Sequence, residues 1–149
     1  MSLSLLGRSH ALAWIRSHCL QIPLFSEAVS AGFPSPAQDY VEKTLDLNEL
    51  CIKRPAATFF VRVEGDSMIQ AGIHAGDILV VDRSVTAEHG DTVIVAIHGE
   101  MTVKELELRP AVRLVPRNPA YPAIEIAEGT ALDIFGVVTN VIRNIRHKS

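Results

Sequence analysis

Almost all of the chain beyond Ala56 consists of short apolar segments separated by turn-forming residues. The segments are rich in β-branched and aromatic side chains, and Gly, Pro, Asn or Asp interrupt them, which is the pattern of strands joined by turns. We therefore predict a mostly β fold, a compact antiparallel β domain. The predicted strands are residues 57–63, 77–82, 92–98, 101–108, 112–115, 122–126 and 133–143.

The part of the chain before this β region is less regular. Residues 38–53 are predicted to form short helical turns, because Asp46-Leu47-Asn48-Glu49 resembles a helix-capping sequence. An apolar stretch near the N terminus is interrupted by Arg8 and Arg16 before it reaches the length of a signal peptide or a membrane span. We expect a flexible N-terminal arm on one domain, no membrane association and a cytoplasmic location.

Charge and composition narrow the classes of function. The chain of 149 residues carries a formal net charge of -3 and has a pI of about 6.0, so it lacks the overall basic character of a nucleic-acid-binding domain. We expect no direct sequence-specific DNA binding. Cys19 and Cys51 have no Cys-x-x-Cys spacing, and the six histidines are scattered along the chain. We therefore expect no bound metal and no other cofactor.

A Gly-Asp-Ser turn follows the first of the predicted strands. Gly65-Asp66 ends the apolar run that begins at Thr58, and so places Ser67 at the exit of the strand. A serine hydroxyl in that position can act as a nucleophile if a nearby base takes its proton. A structural alternative exists, because Ser67-Met68-Ile69-Gln70 also fits the Ser-x-x-Gln capping box of a short helical turn.

The candidate base is Lys104. His98-Gly99-Glu100 predicts a hairpin connection between two strands, and side chains alternate along a strand, so Lys104 shares the apolar face of the second strand with Leu106. Burial without a carboxylate partner lowers the pKa of a lysine below its usual value of about 10.4, so that the neutral amine can act as a general base. The alternative is that Lys104, close to the end of the hairpin, extends its ammonium group to water.

Taken together, these motifs resemble one protein family. Gly65-Asp66-Ser67-Met68 and Thr102-Val103-Lys104 are similar to the two active-site motifs of the LexA/UmuD family of self-cleaving serine/lysine proteases. The resemblance implies that Ser67 is the nucleophile, that Lys104 is the general base, and that the β domain is of the LexA and signal-peptidase type. Further similar blocks are Phe33-Pro34-Ser35-Pro36, Asp39-Tyr40-Val41-Glu42, Leu45-Asp46-Leu47-Asn48, the residues 76–82 and the residues 133–138.

The resemblance also implies a cleavage site at Ala31-Gly32, directly before Phe33-Pro34. A residue that precedes proline favours an extended backbone, and an extended segment can pair with a sheet edge and enter a protease cleft. The implied domains are residues 1–31, an arm removed by self-cleavage, and residues 32–149, a β-rich peptidase and dimerisation domain. An ordinary linker that is never cut is the alternative for the cleavage segment.

The expected oxyanion donors are the backbone N–H groups of Asp66 and Ser67, which lie beside the nucleophile in the chain. Asp66 itself is not expected to be a third catalytic residue, because a carboxylate beside Lys104 would keep the lysine protonated.

The function implied by the resemblance belongs to the SOS response to DNA damage. RecA filaments on single-stranded DNA would stimulate the cleavage, and the shortened homodimer would join a UmuC-type subunit as accessory subunit of an error-prone translesion DNA polymerase. One alternative is a non-catalytic polymerase-regulating binding subunit, in which Ser67 is only a helix cap. A second is a LexA-like repressor fragment, although 31 residues leave too little room for a DNA-reading helix-turn-helix before the cleavage site.

Overall fold

The computed structural model describes residues 20–25 and 41–146, and the chain divides into two compact units after Leu50. In the first unit, the strands β1 (Ile22–Phe25) and β2 (Val41–Leu45) form a two-stranded antiparallel sheet. The helix α1 (Leu47–Cys51) follows β2. Asp46 caps this helix, since its Oδ1 accepts the N–H of Asn48 at 2.8 Å, so the predicted capping sequence is confirmed.

The strand β2 corrects part of the sequence-based prediction for residues 38–53. Helical turns were expected throughout this region, but within its described part, residues 41–53, only α1 is α-helical, and Val41–Leu45 is extended. The reason is pairing with a distant segment, because Thr44 lies opposite Pro23 and Lys43 lies opposite Leu24. Hydrogen bonding to another strand overrides the local preference of a short segment.

The second unit is built on a seven-stranded sheet with the order β3-β4-β9-β5-β6-β7-β8. Each adjacent pair is antiparallel, which confirms the predicted fold class, and each strand lies within about two residues of its predicted range. The strands are β3 (Thr58–Arg62), β4 (Ile78–Asp82), β5 (Thr92–Ile97), β6 (Glu100–Glu107), β7 (Arg113–Val115), β8 (Ile124–Glu125) and β9 (Ile134–Ile142). Two short 3-10 turns, Pro55–Ala57 and Ile69–Ala71, flank β3.

The last strand, β9, lies in the middle of this sheet. Its first half pairs with β5, where Val137 lies opposite Val93, and its second half pairs with β4, where Val141 lies opposite Leu79. The contact is close at Gly136, since a Cβ there would lie 2.6 Å from Cγ1 of Val81. A residue without a side chain is therefore needed at this point of the central strand.

Two hydrophobic clusters pack against the sheet. Alternate residues of a strand point to opposite faces, so Ile94 of β5 joins one cluster while its neighbours Val93 and Val95 join the other. The first cluster also contains Met68, of which only 1% is exposed. Packing of Met68 therefore anchors the turn that carries Ser67, the preceding residue, to the core.

The hairpin between β5 and β6 fixes the position of Lys104. The connection consists of His98 and Gly99, with φ angles of 51° and 80°, the left-handed conformations that a tight two-residue hairpin turn needs. The resulting register places Lys104 opposite Val93. The predicted hairpin is confirmed, and with it the position of Lys104 in the interior of a strand.

No helix among the described residues combines the length and the apolar character needed to cross a membrane.

Candidate active site

Backbone hydrogen bonds of Val63 and the conformation of Gly65 determine how the turn that carries Ser67 leaves β3. Val63 is tied to the segment before β4, because its N–H donates to the carbonyl of Asp77 at 2.9 Å and its carbonyl accepts the N–H of Gly76 at 2.8 Å. Gly65 then adopts a positive φ of 78° and turns the chain. The half-buried Ser67 therefore follows the exit of the strand, as the sequence predicts.

The capping-box interpretation of Ser67 is wrong. The 3-10 turn Ile69–Ala71 has Met68 as its N-cap residue, and no side chain donates or accepts a capping hydrogen bond there. The Ser67 hydroxyl instead lies 3.3 Å from Nζ of Lys104.

Lys104 lies on β6, 37 residues further along the chain than Ser67, and its side chain reaches the Ser67 hydroxyl. Only 8% of Lys104 is exposed, so the alternative in which its ammonium group extends to water is wrong. Besides Ser67, Nζ has two acceptors, Oγ1 of Thr102 at 2.9 Å and the carbonyl oxygen of Val103 at 3.1 Å. The long side chain therefore ends in a small polar site at the edge of the apolar interior.

Burial lowers the pKa of the Lys104 ammonium below its ordinary value of 10.5. Removing the ammonium from water disfavours the charged form, and neither of its other two neighbours carries a charge that would offset this loss. Among the described residues, no carboxylate forms an ion pair with Lys104. The environment thus favours the neutral amine that base catalysis needs.

The two other acceptors also orient the amine. A neutral lysine has two N–H bonds and one lone pair. If the N–H bonds point to Oγ1 of Thr102 and to the carbonyl of Val103, the lone pair faces the Ser67 hydroxyl. The arrangement is suited to take the proton of Ser67 as its oxygen attacks a carbonyl carbon.

A cleft of about 180 Å³ opens beside Ser67, between the end of β3 and the start of β6. Apolar side chains form much of its wall, among them Val61, Leu79 and Ile94. Ser67 and Thr102 contribute hydroxyl groups to the same cleft. A cleft of this size and character suits a small apolar side chain next to the nucleophile.

This site lies within a region that matches a known family, because residues 23–139 match the model of the family described as Peptidase S24-like. The chain belongs to the S24-like peptidase family. Protein SamA of Salmonella typhimurium is 56% identical over 124 residues, which cover 83% of this chain and 86% of SamA. Protein MucA of Escherichia coli is 50% identical over 120 residues, 80% of this chain and 82% of MucA.

A more distant relative is the LexA repressor of Halorhodospira halophila, which is 38% identical over 118 residues, 78% of this chain but only 52% of that repressor. The relatives confirm the resemblance to the LexA/UmuD family. As an S24-like peptidase of this group, the chain is of the serine peptidase kind and belongs to a family related to SOS mutagenesis.

In this S24-like peptidase, a loop that the sequence analysis missed contacts the Ser67 turn. Residues 117–121, named here the 117–121 loop, place Nδ2 of Asn118 2.9 Å from the Asp66 carbonyl oxygen and the Tyr121 hydroxyl 2.7 Å from Oδ1 of Asp66. The hydrogen bond from Tyr121 to Asp66 raises the pKa of the tyrosine. In the sequence, Asn118-Pro119 signals only a turn, so nothing local indicates these contacts.

The remaining predicted site residues divide into two groups. Asp66 lies in the turn beside Ser67, and within the described part of the chain neither the Asp66 nor the Ser67 backbone N–H has a hydrogen-bond acceptor. Ala31 and Gly32 lie outside the described residues. In the same described ranges, no group of three or more His, Cys, Asp or Glu side chains is arranged to hold a metal ion.

Proposed function

We propose that this chain is a self-cleaving serine endopeptidase that cuts its own Ala31-Gly32 bond, with Ser67 as nucleophile and Lys104 as general base. The observation that carries the proposal is the 3.3 Å approach of Nζ of Lys104 to Oγ of Ser67. Burial of the lysine, with no carboxylate partner in the part of the chain that the structure describes, supports its role as a base, since burial lowers the pKa of the amine.

The first step forms the bond between enzyme and substrate. Neutral Lys104 takes the proton of the Ser67 hydroxyl while Oγ attacks the carbonyl carbon of Ala31. The carbonyl oxygen becomes an oxyanion, which the backbone N–H groups of Asp66 and Ser67 stabilise. The lack of another acceptor for these N–H groups among the described residues supports this role.

The second step breaks the peptide bond. The Lys104 ammonium returns its proton to the nitrogen of Gly32, the C–N bond breaks, and an ester joins Oγ of Ser67 to the carbonyl carbon of Ala31. Neutral Lys104 then takes a proton from a water molecule, which attacks the ester. Protonation of the departing Oγ restores Ser67 and leaves a carboxyl group on Ala31.

Tethering of the substrate makes a slow site sufficient for one turnover. The arm is part of the same chain, so its effective concentration at the cleft is high whenever its geometry permits docking. Control then lies in the docking of the arm rather than in the chemistry. The products are an arm of residues 1–31 and a β-rich peptidase and dimerisation domain of residues 32–149.

The proposed biological setting is based on the family to which the chain belongs. We propose that a RecA filament on single-stranded DNA stimulates the cleavage in the cytoplasm. The shortened homodimer then serves as accessory subunit of an error-prone translesion DNA polymerase, together with a UmuC-type subunit. Identity of 50% and more to MucA and SamA over at least 80% of the chain supports this setting.

Intact mass spectrometry tests the proposal. Purified protein is incubated at neutral pH, at about pH 10, and with RecA, single-stranded DNA and nucleotide, because alkaline pH deprotonates Lys104 and raises the fraction of active base. We expect two fragments that meet at Ala31-Gly32, and no fragments from Ser67→Ala or Lys104→Ala. Lys43→Ala, at an exposed position of β2, is the matched lysine control and should be cut normally.

A different outcome would favour the non-catalytic alternative. If the wild-type chain stays intact under all three conditions, the proposed peptidase activity is wrong, and a polymerase-regulating binding subunit becomes the better interpretation. Fragments that persist in Ser67→Ala would instead point to a contaminating protease.

A further inference from the structure

The 117–121 loop contacts the Ser67 turn at three points. Asn118 donates to the Asp66 carbonyl oxygen, and Tyr121 donates to the Asp66 carboxylate. The third contact is a backbone bond, in which the N–H of Gln70 donates to the carbonyl of Arg117 at 2.8 Å. The loop therefore holds residues on both sides of the nucleophile.

The contact of Asn118 acts on the peptide group that joins Asp66 to Ser67. This peptide is trans, and in a trans peptide the C=O and N–H bonds point in opposite directions within one plane. The Asp66 carbonyl oxygen accepts two hydrogen bonds, from Nδ2 of Asn118 at 2.9 Å and from the N–H of Ile69 at 3.2 Å. Donors that fix the direction of this carbonyl also fix the direction of the Ser67 N–H, and Asn118 is the closer of the two. That N–H is one of the two proposed oxyanion donors.

The orientation of Asn118 is itself determined by its own loop. Its side-chain Oδ1 accepts the N–H of Ala120 at 3.0 Å, and its backbone carbonyl accepts the N–H of Tyr121 at 3.0 Å. With Oδ1 occupied in this way, the NH2 group points to the Asp66 carbonyl. Reversing the side-chain amide would bring two oxygens together and leave the N–H of Ala120 without its acceptor.

The same loop is connected to the strand that carries the base. Arg117 forms an ion pair with Glu105 of β6, the residue that follows Lys104. Two hydrogen bonds join the guanidinium of Arg117 to this carboxylate, a bidentate geometry that restricts both side chains. The loop thus links the nucleophile turn to the strand of the base.

We propose that Asn118, supported by Tyr121, is a positioning residue that directs the backbone N–H of Ser67 toward the oxyanion formed during cleavage. The inference rests on the proposed self-cleavage. It assigns to the 117–121 loop a part in transition-state stabilisation, separate from the proton transfer by Lys104.

The pH profile of self-cleavage separates transition-state stabilisation by the 117–121 loop from proton transfer by Lys104. First-order rates of wild-type cleavage between pH 7 and 10.5 should rise to a plateau, with a midpoint set by Lys104. Asn118→Ala should lower the plateau about tenfold to a hundredfold, because a misdirected oxyanion donor loses much of its effect. The midpoint should not move, since no contact of Lys104 is altered. Tyr121→Phe should lower the plateau by a smaller factor of about threefold.

Two controls keep the test decisive. Asn118→Asp has nearly the same shape but removes the NH2 donor, so it should lower the plateau even if Asn118→Ala disturbs folding. Thr102→Val removes a hydrogen bond to Lys104 itself and should move the midpoint, which shows that the assay detects changes at the base. Thermal unfolding of every variant is measured in parallel.

Three outcomes would overturn the inference. The plateau could be unchanged in both Asn118 variants, the midpoint could shift as it does in Thr102→Val, or the loss of rate could simply follow the loss of thermal stability. A wild-type chain that is never cut would contradict the proposed function, and the inference would fall with it. If the wild-type chain is cut, but no faster than Asn118→Ala and Asn118→Asp, the inference is wrong while the proposed function stands.

Discussion

Two buried ionisable residues have opposite surroundings within the second unit, named here the β unit, which is built on the seven-stranded sheet. Asp77 is 1% exposed and Lys104 is 8% exposed, so both have left water almost completely. Asp77 accepts hydrogen bonds from Nε and Nη2 of Arg143 at 2.7 and 2.6 Å, and from the N–H of His74 at 2.7 Å. Among the described residues, Lys104 has only hydroxyl and carbonyl oxygens as hydrogen-bond partners.

The difference in partners shifts the pKa values of the two groups with opposite consequences for their charge. The hydrogen bonds and the charge of Arg143 lower the pKa of Asp77 from 3.8 to about 2, against the effect of burial, so the carboxylate stays ionised. For Lys104, burial acts alone and lowers the pKa, so the amine is driven toward neutrality. A buried charge that pairs with an opposite charge holds neighbouring elements together, whereas a buried ionisable group without such a partner has a shifted pKa and can serve as a reactive group.

The largest effect is expected from Lys104→Met. Methionine fills similar space but has no base, so the self-cleavage rate should fall at least about a thousandfold. The protein should stay folded, because the substitution removes a buried ammonium that has no carboxylate partner within residues 20–25 and 41–146. Intact mass spectrometry over time measures the rate, with Lys43→Met as control. A rate within tenfold of wild type would contradict the role of Lys104 as base.

Asp77→Ala should have the opposite effects, a large loss of stability and little change in the cleavage rate. Removal of the carboxylate leaves the His74 N–H without its acceptor and the Arg143 guanidinium with the Gly72 carbonyl but without its anionic partner. The free energy of unfolding should therefore fall by about 3 kcal/mol. Cleavage per folded molecule should change little, since Asp77 does not contact Ser67 or Lys104. Urea denaturation gives the stability. Glu88→Ala removes an exposed carboxylate as the matched control and should be nearly neutral.

Thr102→Val should weaken catalysis without abolishing it. The Thr102 hydroxyl accepts a hydrogen bond from Nζ, and a bond to the charged form of a base supports protonation. Its removal should therefore lower the pKa of Lys104 further and move the midpoint of the rate profile to lower pH. The plateau should fall about tenfold, because one of the two groups that orient the neutral amine is lost. An unchanged midpoint would show that this bond does not influence protonation of Lys104.

The smallest effects concern stability as a function of pH. The folded pKa of Asp77, about 2, lies below its ordinary 3.8, so its contribution to stability is present above pH 3.8 and is lost as the pH falls toward 2. Lys104 behaves differently, because a lowered pKa in the folded state means that the unfolded chain binds the proton more tightly. Its cost to stability is therefore relieved as the pH rises toward 10.5.

Urea titrations across this pH range measure both contributions as differences from wild type. Asp77→Asn should remove only the Asp77 contribution to the acid-side dependence, to which Asp82 and Glu107 also contribute through their lowered pKa values. Lys104→Met should remove only the Lys104 contribution to the alkaline dependence. If Lys104→Met had the same alkaline slope as wild type, the lysine would have the same pKa in the folded and unfolded chains.

The sequence alone was sufficient for features set by neighbours along the chain. The strands of the β unit follow from apolar segments between turn residues, and the position of Ser67 follows from Gly65-Asp66 at a strand exit. The interior position of Lys104 follows from strand alternation counted from the His98-Gly99 hairpin. Each of these depends on steric preferences and side-chain directions that repeat every few residues.

Features that depend on distant partners were missed or left open. The strand β2 was expected to be helical, since its partner β1 is separated from it in the chain. The contacts of Asn118 and Tyr121 with Asp66, 52 and 55 residues away, have no local signal beyond a turn. The choice between helix cap and nucleophile for Ser67 was also open at the level of its tetrapeptide.

The sequence by itself determined that the chain is mostly β, where the seven strands of the second unit run, and which serine and lysine to consider. Only the tertiary structure decided that these two side chains meet 3.3 Å apart. It also decided that no carboxylate of the described ranges pairs with Lys104, while Asp77 pairs with Arg143. The physical reason is that conformational preference is a property of short segments, whereas desolvation and charge compensation depend on every group that folding brings into contact.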